Sequence, residues 1–599
     1  MKKSVLLMLF CLAALAAQAQ IWKPVEGPIA TPWAEKVDPS APLPEYPRPL
    51  MQRDAWVNLN GMWDYAVLPR DAAFTVPDGQ ILVPYCIESC LSGVGRKVTP
   101  EESLWYRRSF NVPKAWKGRR VLLHFGAVDW QADVWVNDIK VGTHTGGYTP
   151  FSFDVTDALT GGANTLTVRV WDGTDSGFQP RGKQQKEPEG IWYTAVTGIW
   201  QTVWMEPVAS EHMASLRTTP DLENGSIRVK AEGVCRGIVE ATLLADGRKI
   251  AVARAVAVQE AELKVPQAHL WSPEDPYLYD LEVSLTVDGK VVDRVRSYCA
   301  MREVGTARDA QGILRMTLNG KPIFMYGPLD QGWWPDGLYT APTDEALAFD
   351  VQKTKDWGFN LIRKHVKVEP ARWYYHCDRL GILVWQDMPS GDLHGPWESN
   401  RWFQGNEFER SAASEACYRK EWREIMDCLY SQPCIVVWVP FNEGWGQFKT
   451  AEITAWTKQH DPTRLVNSAS GGNHFLRVGD ILDLHNYPQP SMYLFDTRRV
   501  NVLGEYGGIG MPVEGHLWQP DRNWGYVKFT SPEEVTDEYV KYALQLKDMV
   551  ARGFSAAVYT QTTDVEIEVN GLMTYDRKVD KVDIPRIREV NQQVINALK

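Results

Sequence analysis

Two β-sandwiches followed by a parallel (β/α)8 barrel form the multidomain fold this sequence predicts, on three observations. The chain has 599 residues, several times the roughly 100–200 that one core usually organises. Up to about residue 302 the text alternates apolar and polar residues at the strand period and is punctuated by turn residues. Beyond that point short apolar runs alternate with helix-like stretches, the pattern of strands joined by crossover helices.

The elements follow in order. Lys2-Lys3 precede an apolar run from Val5 to Ala17, and Ala17-Gln18-Ala19 has the small-x-small form of a cleavage site. Residues 1–19 therefore read as a secretory signal peptide, with the mature chain starting at Gln20. The run is too short to span a bilayer, and Cys11 follows Leu9-Phe10, a poor lipoprotein site. The expectation is export to the periplasm or the extracellular space, with no transmembrane segment. Residues 20–50 are proline-rich ("APLPEYPRP") and read as an extended N-terminal arm. Residues 51–208 read as an all-β sandwich, with turns at Asn137-Asp138 and Gly146-Gly147. Residues 209–302 read as a smaller immunoglobulin-like sandwich, with hairpin turns at Asp246-Gly247 and Asp288-Gly289.

Residues 303–599 carry eight candidate strands: 322–327, 359–365, 382–388, 435–443, 464–470, 481–487, 500–507 and 555–561. Helical text lies between most of them, as in "DEALAFDVQKTKDWG" and "PEEVTDEYVKYALQLKDMVARG". Eight such strands imply a parallel (β/α)8, or TIM, barrel. A dinucleotide-binding sheet competes, but no G-x-G-x-x-G follows a strand.

Composition narrows the partners. A net charge of −11 argues against nucleic acid or an anionic membrane surface. The 26 Trp residues suit large sandwich cores and also the flat faces of sugar rings. Eight cysteines remain after cleavage: Cys86, Cys90, Cys235, Cys299, Cys377, Cys417, Cys428 and Cys434. They lack a C-x-x-C pair and read as free thiols, although the spacing permits Cys86–Cys90 and Cys428–Cys434 pairs. No zinc pattern is present.

Barrel chemistry sits at the C-terminal ends of the strands. Read in order, those ends offer Asp330, then Arg363 and His365, Asp387, Asn442 and Glu443, Ser468 and Ser470, His485 and Tyr487, Glu505, and Gln561. Such polar groups are expensive to bury in a plain core. Glu443 and Glu505 end the fourth and seventh strands, so they can face each other across the mouth. Cleavage of a glycosidic bond needs such a pair, one carboxyl as proton donor and the other as nucleophile or charge stabiliser. Phe441 and Trp445 should disfavour the charge of Glu443, which suits an acid. Glu505 lies among Gly504, Gly507 and Gly508, which would let a ligand approach closely. Arg363 would keep Glu505 ionised and Tyr487 would donate to it, which suits a nucleophile. Asn442, Arg363, His365, His485, Tyr487, Trp445, Gln561 and Asp330 are the candidate substrate-binding residues.

At these residues the chain resembles glycoside hydrolase family 2, the β-galactosidase, β-glucuronidase and β-mannosidase group. "RDAWVNLNGMWDY" (53–65) is similar to the family's opening motif, and "VDWQADVWVNDIKVGTHTGGYTPFSFDVT" (128–156) to its sugar-binding jelly roll. "GFNLIRKHVKVEPARWYYHCDRLGILVWQDMP" (358–389) resembles its second and third barrel strands, with His365 in the place of the family histidine. "VPFNEGWGQ" carries the Asn-Glu acid/base pair as Asn442 and Glu443, and "VLGEYGG" the nucleophile as Glu505. The resemblance implies an exo-acting, retaining β-glycosidase with no catalytic metal or other required cofactor, a structural ion being left open. It implies an oligosaccharide or polysaccharide substrate, and leaves a homo-oligomer open.

Two details depart. Val439-Pro440-Phe441 replaces the usual small residues before Asn-Glu. The Asn-x-Lys motif that holds a glucuronide carboxylate is absent, because Asn570 is followed by Gly571-Leu572. The expectation is a β-galactosidase-like enzyme, with α-L-arabinopyranoside, β-glucoside and β-mannoside open and β-glucuronide disfavoured. Asp172, Asp175 or His144 would be the jelly-roll residues to reach the pocket. A non-catalytic carbohydrate-binding protein and a metal-dependent hydrolase built on His365, Asp387 and His485 are the competing classes.

Overall fold

The computed structural model describes residues 22–393, 403 and 405–598. The signal-peptide reading of residues 1–19 and the proposed start at Gln20 lie outside these residues.

The first sandwich is a jelly roll of two antiparallel sheets. Gly79–Val83, Gly61–Pro69, Glu102–Phe110, Asn164–Trp171, Gln131–Val136 and Ile139–Thr145 form six strands in that spatial order. Val57–Asn58, Val203–Val208, Arg120–Phe125 and Phe151–Asp154 form the facing four. Alternate side chains such as Leu166, Val168 and Val170 enter the core between them, as the period-2 pattern requires. The second sandwich pairs a three-stranded with a four-stranded sheet around Ile227, Leu243, Leu281 and Leu285. Its hairpins turn at Asp246-Gly247 and Asp288-Gly289, all four residues having positive φ, the left-handed geometry such two-residue turns need.

The eight barrel strands are β1 (Met325–Asp330), β2 (Leu361–Lys364), β3 (Leu383–Asp387), β4 (Ile435–Val439), β5 (Leu465–Val466), β6 (Ile481–Asn486), β7 (Val500–Gly507) and β8 (Phe554–Thr560). They pair in parallel in the order β5-β4-β3-β2-β1-β8-β7-β6. The β5–β6 seam lacks a strand ladder and is laced by polar contacts. Asp480 N–H donates to Val466 O at 2.9 Å, and Asn467 Nδ2 donates to Asp483 Oδ2 at 2.6 Å. Strand β1 starts three residues later than its sequence pattern suggests. Lys321–Pro322 is taken by a small antiparallel sheet with Leu314–Leu318 and Val304–Arg308.

Of the two helices Thr450–His460 and Ile584–Ile595, the second opens on an Asp583 cap with an early proline. The first is rich in Thr and has no side-chain N-cap, so propensity does not announce it. Much of the described tryptophan is structural: Trp63, Trp200, Trp271, Trp357, Trp385, Trp422 and Trp438 are fully buried. All eight described cysteines are free, including the Cys86/Cys90 and Cys428/Cys434 pairs.

The N-terminal segment is more than a spacer. Thr31 N and Oγ1 both donate to Asp336 Oδ2 of the barrel, at 2.8 and 2.6 Å. Arg48 bonds Glu206 of the jelly roll at 2.8 Å. It thereby ties the first sandwich to the barrel, and the jelly roll packs against the barrel mouth.

Candidate active site

Arg363 organises the mouth. It is fully buried on β2, and its fork engages Asp387 of β3 at 3.1 and 2.9 Å. Nη2, which shares the Asp387 contact, also reaches Asn442 Oδ1 at 2.7 Å, and Nη1 reaches Glu505 Oε1 at 3.2 Å. A buried guanidinium keeps its charge when carboxylates surround it in this way. Because Asn442 accepts through Oδ1, its Nδ2 is the atom left to face the mouth.

Glu443 lies four residues beyond the end of β4 at Val439 and has a φ of +50°. Its N–H donates to Ser470 O at 2.8 Å, which pins this costly backbone conformation. Such strain in a non-glycine residue concentrates at functional sites.

His485 of β6 stands between the two glutamates. Its Nδ1 lies 2.7 Å from Glu443 Oε1 and 3.3 Å from Glu505 Oε2, while Nε2 meets Ser470 Oγ at 2.8 Å. The donor atoms of Glu443, His485 and Glu505 all lie within 4.8 Å of one another. Burial disfavours the imidazolium, but Glu505 and Glu443 outweigh it and raise the pKa of His485. Burial alone would push the Glu443 carboxyl up, as the sequence suggested. The bond from His485, with the charges of His485, Lys183 and Arg363, outweighs it and holds the carboxyl below its ordinary value. The expectation of a raised Glu443 is therefore corrected: its carboxyl is lowered, and it is His485, 2.7 Å away, whose pKa is raised.

Glu505 ends β7. Tyr487 donates to its Oε2 at 2.8 Å, as expected, and stacks on Tyr526 at 3.7 Å between ring centroids. The flanking glycines do not make room for a ligand. A Cβ on Gly504 would lie 2.1 Å from Asp483 Oδ1, one on Gly507 2.4 Å from the Tyr559 ring, and one on Gly508 2.2 Å from the Tyr526 ring. Protein groups already fill that space.

His365 bonds Asp387 through Nδ1 at 2.9 Å and lies 6.0 Å from the Trp445 ring. Burial, with Lys183 and Arg363, pushes its pKa well below the usual range, so it is neutral. The sequence-derived set Asn442, Arg363, His365, His485, Tyr487 and Trp445 thus converges on the two glutamates. Asp330 and Gln561 do not join it. Asp330 is held by Lys364 Nζ at 2.7 Å and Gly332 N–H at 2.8 Å. Gln561 spends its oxygen on Gln331 and its nitrogen on Asn570, at 2.7 and 2.8 Å.

The jelly-roll candidates also lie elsewhere. Asp172 binds Thr174, Gln179 and Thr197, Asp175 pairs with Lys186, and His144 stacks on Phe151. The jelly-roll residues that do reach the mouth are Lys183 and Trp192, whose rings or charge meet Trp445. Sequence reasoning missed them and Tyr526. They sit in loops, where only an aromatic or a basic residue beside glycine hinted at a role.

Metal chemistry has one candidate set among the described residues, Glu443, His485 and Glu505. Arg363 Nη1 already supplies positive charge 3.2 Å from Glu505, which disfavours a cation there. The His365–Asp387–His485 alternative is not formed, because Asp387 is committed to Arg363.

Comparison with known proteins decides the family. The "Glycosyl hydrolases family 2, sugar binding domain" model matches residues 83–205, "Glycosyl hydrolases family 2" residues 210–302, and "Glycosyl hydrolases family 2, TIM barrel domain" residues 314–596. The chain belongs to glycosyl hydrolase family 2. Among family 2 relatives, a putative β-glucuronidase of Formosa agariphila is 29% identical over 388 residues, 61% of this chain and 34% of that one. A β-galactosidase of Thermoanaerobacter pseudethanolicus is 27% identical over 370 residues, 57% of this chain and 44% of that one. The chain thus spans less than half the length of these relatives. A β-glucuronidase of Bacteroides fragilis is 24% identical over 529 residues, covering 80% of this chain and 73% of its own. The structure of Bifidobacterium dentium β-glucuronidase complexed with coumarin-3-O-glucuronide shares the fold. Its TM-score is 0.72 at 19% identity, over 91% of this chain and 98% of that one.

Proposed function

We propose that the protein is an exported, exo-acting glycoside hydrolase that removes β-linked terminal sugars from oligosaccharides or polysaccharides with retention of configuration. The carrying observation is the closeness of the carboxylates. An oxygen of Glu443 and one of Glu505 lie within 4.8 Å. Retaining enzymes hold the two carboxyl groups about 5–5.5 Å apart, whereas inverting ones leave about 6.5–9.5 Å for a water.

In this reading Glu505 is the nucleophile. Arg363 on Oε1 and Tyr487 on Oε2 fix the carboxylate, and Glu505 attacks the anomeric carbon. Glu443 is the acid. It receives its proton from His485 along their 2.7 Å bond and passes it to the departing oxygen. Once Glu505 is an ester, its negative charge is gone. Glu443 then accepts a proton from the water that attacks the same carbon, releasing the sugar and restoring Glu505. Asn442 Nδ2 donates to a sugar hydroxyl beside the reacting carbon, and the Trp445 face supports the ring. The jelly-roll segment carrying Lys183 and Trp192 walls one side of the mouth, which suits a pocket that takes a chain end.

The test is a panel of 4-nitrophenyl glycosides covering β-galactoside, β-glucoside, β-mannoside, α-L-arabinopyranoside and β-glucuronide. For the best β-D substrate, proton NMR follows the first-formed sugar. Release of nitrophenol with the β-anomer appearing first supports the proposal. The α-anomer appearing first would refute retention, and no release from any glycoside would refute the glycosidase reading.

A further inference from the structure

The segment Gln179–Gln185, "QPRGKQQ", belongs to the jelly roll but is docked on the barrel rim. Pro180 bridges to Gly391, and the N–H groups of Arg181 and Gly182 both donate to Ser390 O at 2.9 Å. Gly182 has a φ of +60°, and a Cβ there would lie 2.4 Å from Val366 O, so only glycine lets the chain press this close. Gln184 anchors the other side. Its Nε2 donates to Asp129 Oδ2 at 2.8 Å, and its Oε1 accepts from Val196 N–H at 2.7 Å.

Lys183 is fixed between these anchors and is only 5% exposed. Its Nζ lies 5.4 Å from the Tyr193 ring and 5.9 Å from the Trp445 ring, and His365 lies 6.0 Å from that same Trp445 ring. The other buried lysines are all neutralised. Lys364 meets Asp330 and Glu369, Lys367 meets Glu369, and Lys581 meets Asp564. Among the described residues Lys183 has no hydrogen-bond acceptor and no carboxylate within ion-pair distance. A buried ammonium without a partner is costly, so a site that keeps one has a use for it.

We propose that Lys183 is a specificity-determining residue that binds an anionic oxygen group on the glycoside held at Glu443 and Glu505. The group is the carboxylate of a uronic acid or the sulfate ester of a sulfated sugar. This rests on the glycosidase reading above. It also removes the sequence argument against uronides: the barrel lacks the Asn-x-Lys motif, but the jelly roll delivers a cation to the same mouth by another route.

The test compares wild type with Lys183→Met, which keeps the apolar stem against Tyr193 and Trp445, and Lys183→Arg, which keeps the charge. Substrates are 4-nitrophenyl β-D-glucuronide, 4-nitrophenyl 6-O-sulfo-β-D-galactoside, and the uncharged β-D-glucoside and β-D-galactoside. Wild type is expected to favour one anionic glycoside over its neutral counterpart, and Lys183→Met to lower that ratio roughly 100-fold or more. Turnover of the neutral glycosides reports what the lost charge does to Glu443 and His365, so the anionic-to-neutral ratio is the readout, and Lys183→Arg recovers part of that ratio. The anionic substrate that responds identifies the group. Equal losses on charged and neutral glycosides would overturn the proposal, as would wild-type preference for neutral sugars, while leaving the glycosidase reading intact.

Calorimetric titration with D-glucuronate and with galactose 6-sulfate separates the two failures. Binding abolished in Lys183→Met without any hydrolysis would sustain Lys183 and sink the glycosidase. Absence of both binding and hydrolysis would overturn both. Removing a buried charge should leave the thermal midpoint of Lys183→Met equal or higher, and a large fall would mark the residue as structural.

Discussion

Glu443→Gln separates the proposed acid from the proposed nucleophile. Glutamine keeps the size of the side chain, and its amide oxygen still accepts from His485 Nδ1, which lies 2.7 Å from Glu443 Oε1. The bond between residue 443 and His485 is therefore preserved, with His485 Nδ1 still 3.3 Å from Glu505 Oε2. What is lost is the transferable proton. General acid catalysis contributes about 10²–10⁴ in rate, or roughly 3–5 kcal/mol of barrier. That loss should appear in full with a poor leaving group such as methyl or 4-methylphenyl. It should shrink towards a few-fold with 2,4-dinitrophenyl, whose departing oxygen needs no proton. Leaving-group dependence of kcat/KM across four or five aryl glycosides is the assay, with single-turnover bursts reporting the glycosyl-enzyme. A uniform loss across the series would refute the assignment of Glu443 as acid. No loss with the poorest leaving group would refute it equally.

Tyr487→Phe removes one hydrogen bond to a charged Glu505 and keeps the stack on Tyr526. Bonds of this kind are worth about 1.5–3 kcal/mol, so kcat/KM should fall about 10- to 100-fold, and a change below about 3-fold would show that the bond is not used. The raised pKa of His485 means that its proton is fully held below its ordinary 6.5 and is lost as pH rises through the raised value. The alkaline limb of kcat/KM should thus lie above pH 6.5, and a limb centred lower would break the proposed relay. Asp461, held by Arg464 and the Trp438 indole against its own burial, is depressed from 3.8 to about 2. Its contribution of about 2 kcal/mol is present above pH 3.8 and lost as pH falls towards 2, so the melting gap between wild type and Asp461→Asn should narrow below pH 4. Excess chelator should leave activity unchanged, and a loss restored by added divalent metal would establish a metal role for Glu443, His485 and Glu505.

The barrel was legible because its strands are buried on both faces. Runs such as "IVVWV" and "ILDLH" are nearly continuous apolar text, which a parallel sheet demands. The two glutamates were legible because a carboxylate at the end of such a run has no cheap structural excuse. The partners were legible only in part. A polar residue at a strand end says that it reaches the rim, not that it is free there. Asp330 and Gln561 occupy rim positions but are consumed by Lys364 and by Gln331 with Asn570. Lys183, Trp192 and Tyr526 escaped notice because loops from different parts of the chain bring them to the mouth, and no local period encodes that approach. The Glu443 charge state escaped for a related reason. Its apolar sequence neighbours argued for one direction, and a histidine 42 positions away decided the other.

The departure at Val439-Pro440-Phe441 now has a physical account. Strand β4 must stop at Val439 so that the chain can turn Glu443 into the mouth at a φ of +50°. Pro440 has no N–H and so cannot extend the ladder, and its carbonyl accepts the Tyr418 hydroxyl at 2.8 Å. Phe441 stacks on Tyr418 with ring centroids 5.4 Å apart and meets Phe448 edge-on at 5.8 Å. Its carbonyl takes the Ser470 N–H at 2.9 Å, and Glu443 N–H returns to Ser470 O. Small residues here would leave the turn to the backbone alone. Proline and an aromatic clamp instead fix the turn through the helix Ala412–Leu429, which carries Tyr418. Phe441→Gly should therefore cost about 3–5 kcal/mol of stability from the emptied aromatic cluster and, in the fraction that stays folded, activity as well. The strand core of Val436, Val437 and Trp438 stays buried, while the strained Glu443 loses the packing that holds its carboxylate within reach of His485. Equal activity in Phe441→Gly and wild type would show that Ser470 alone positions the carboxylate.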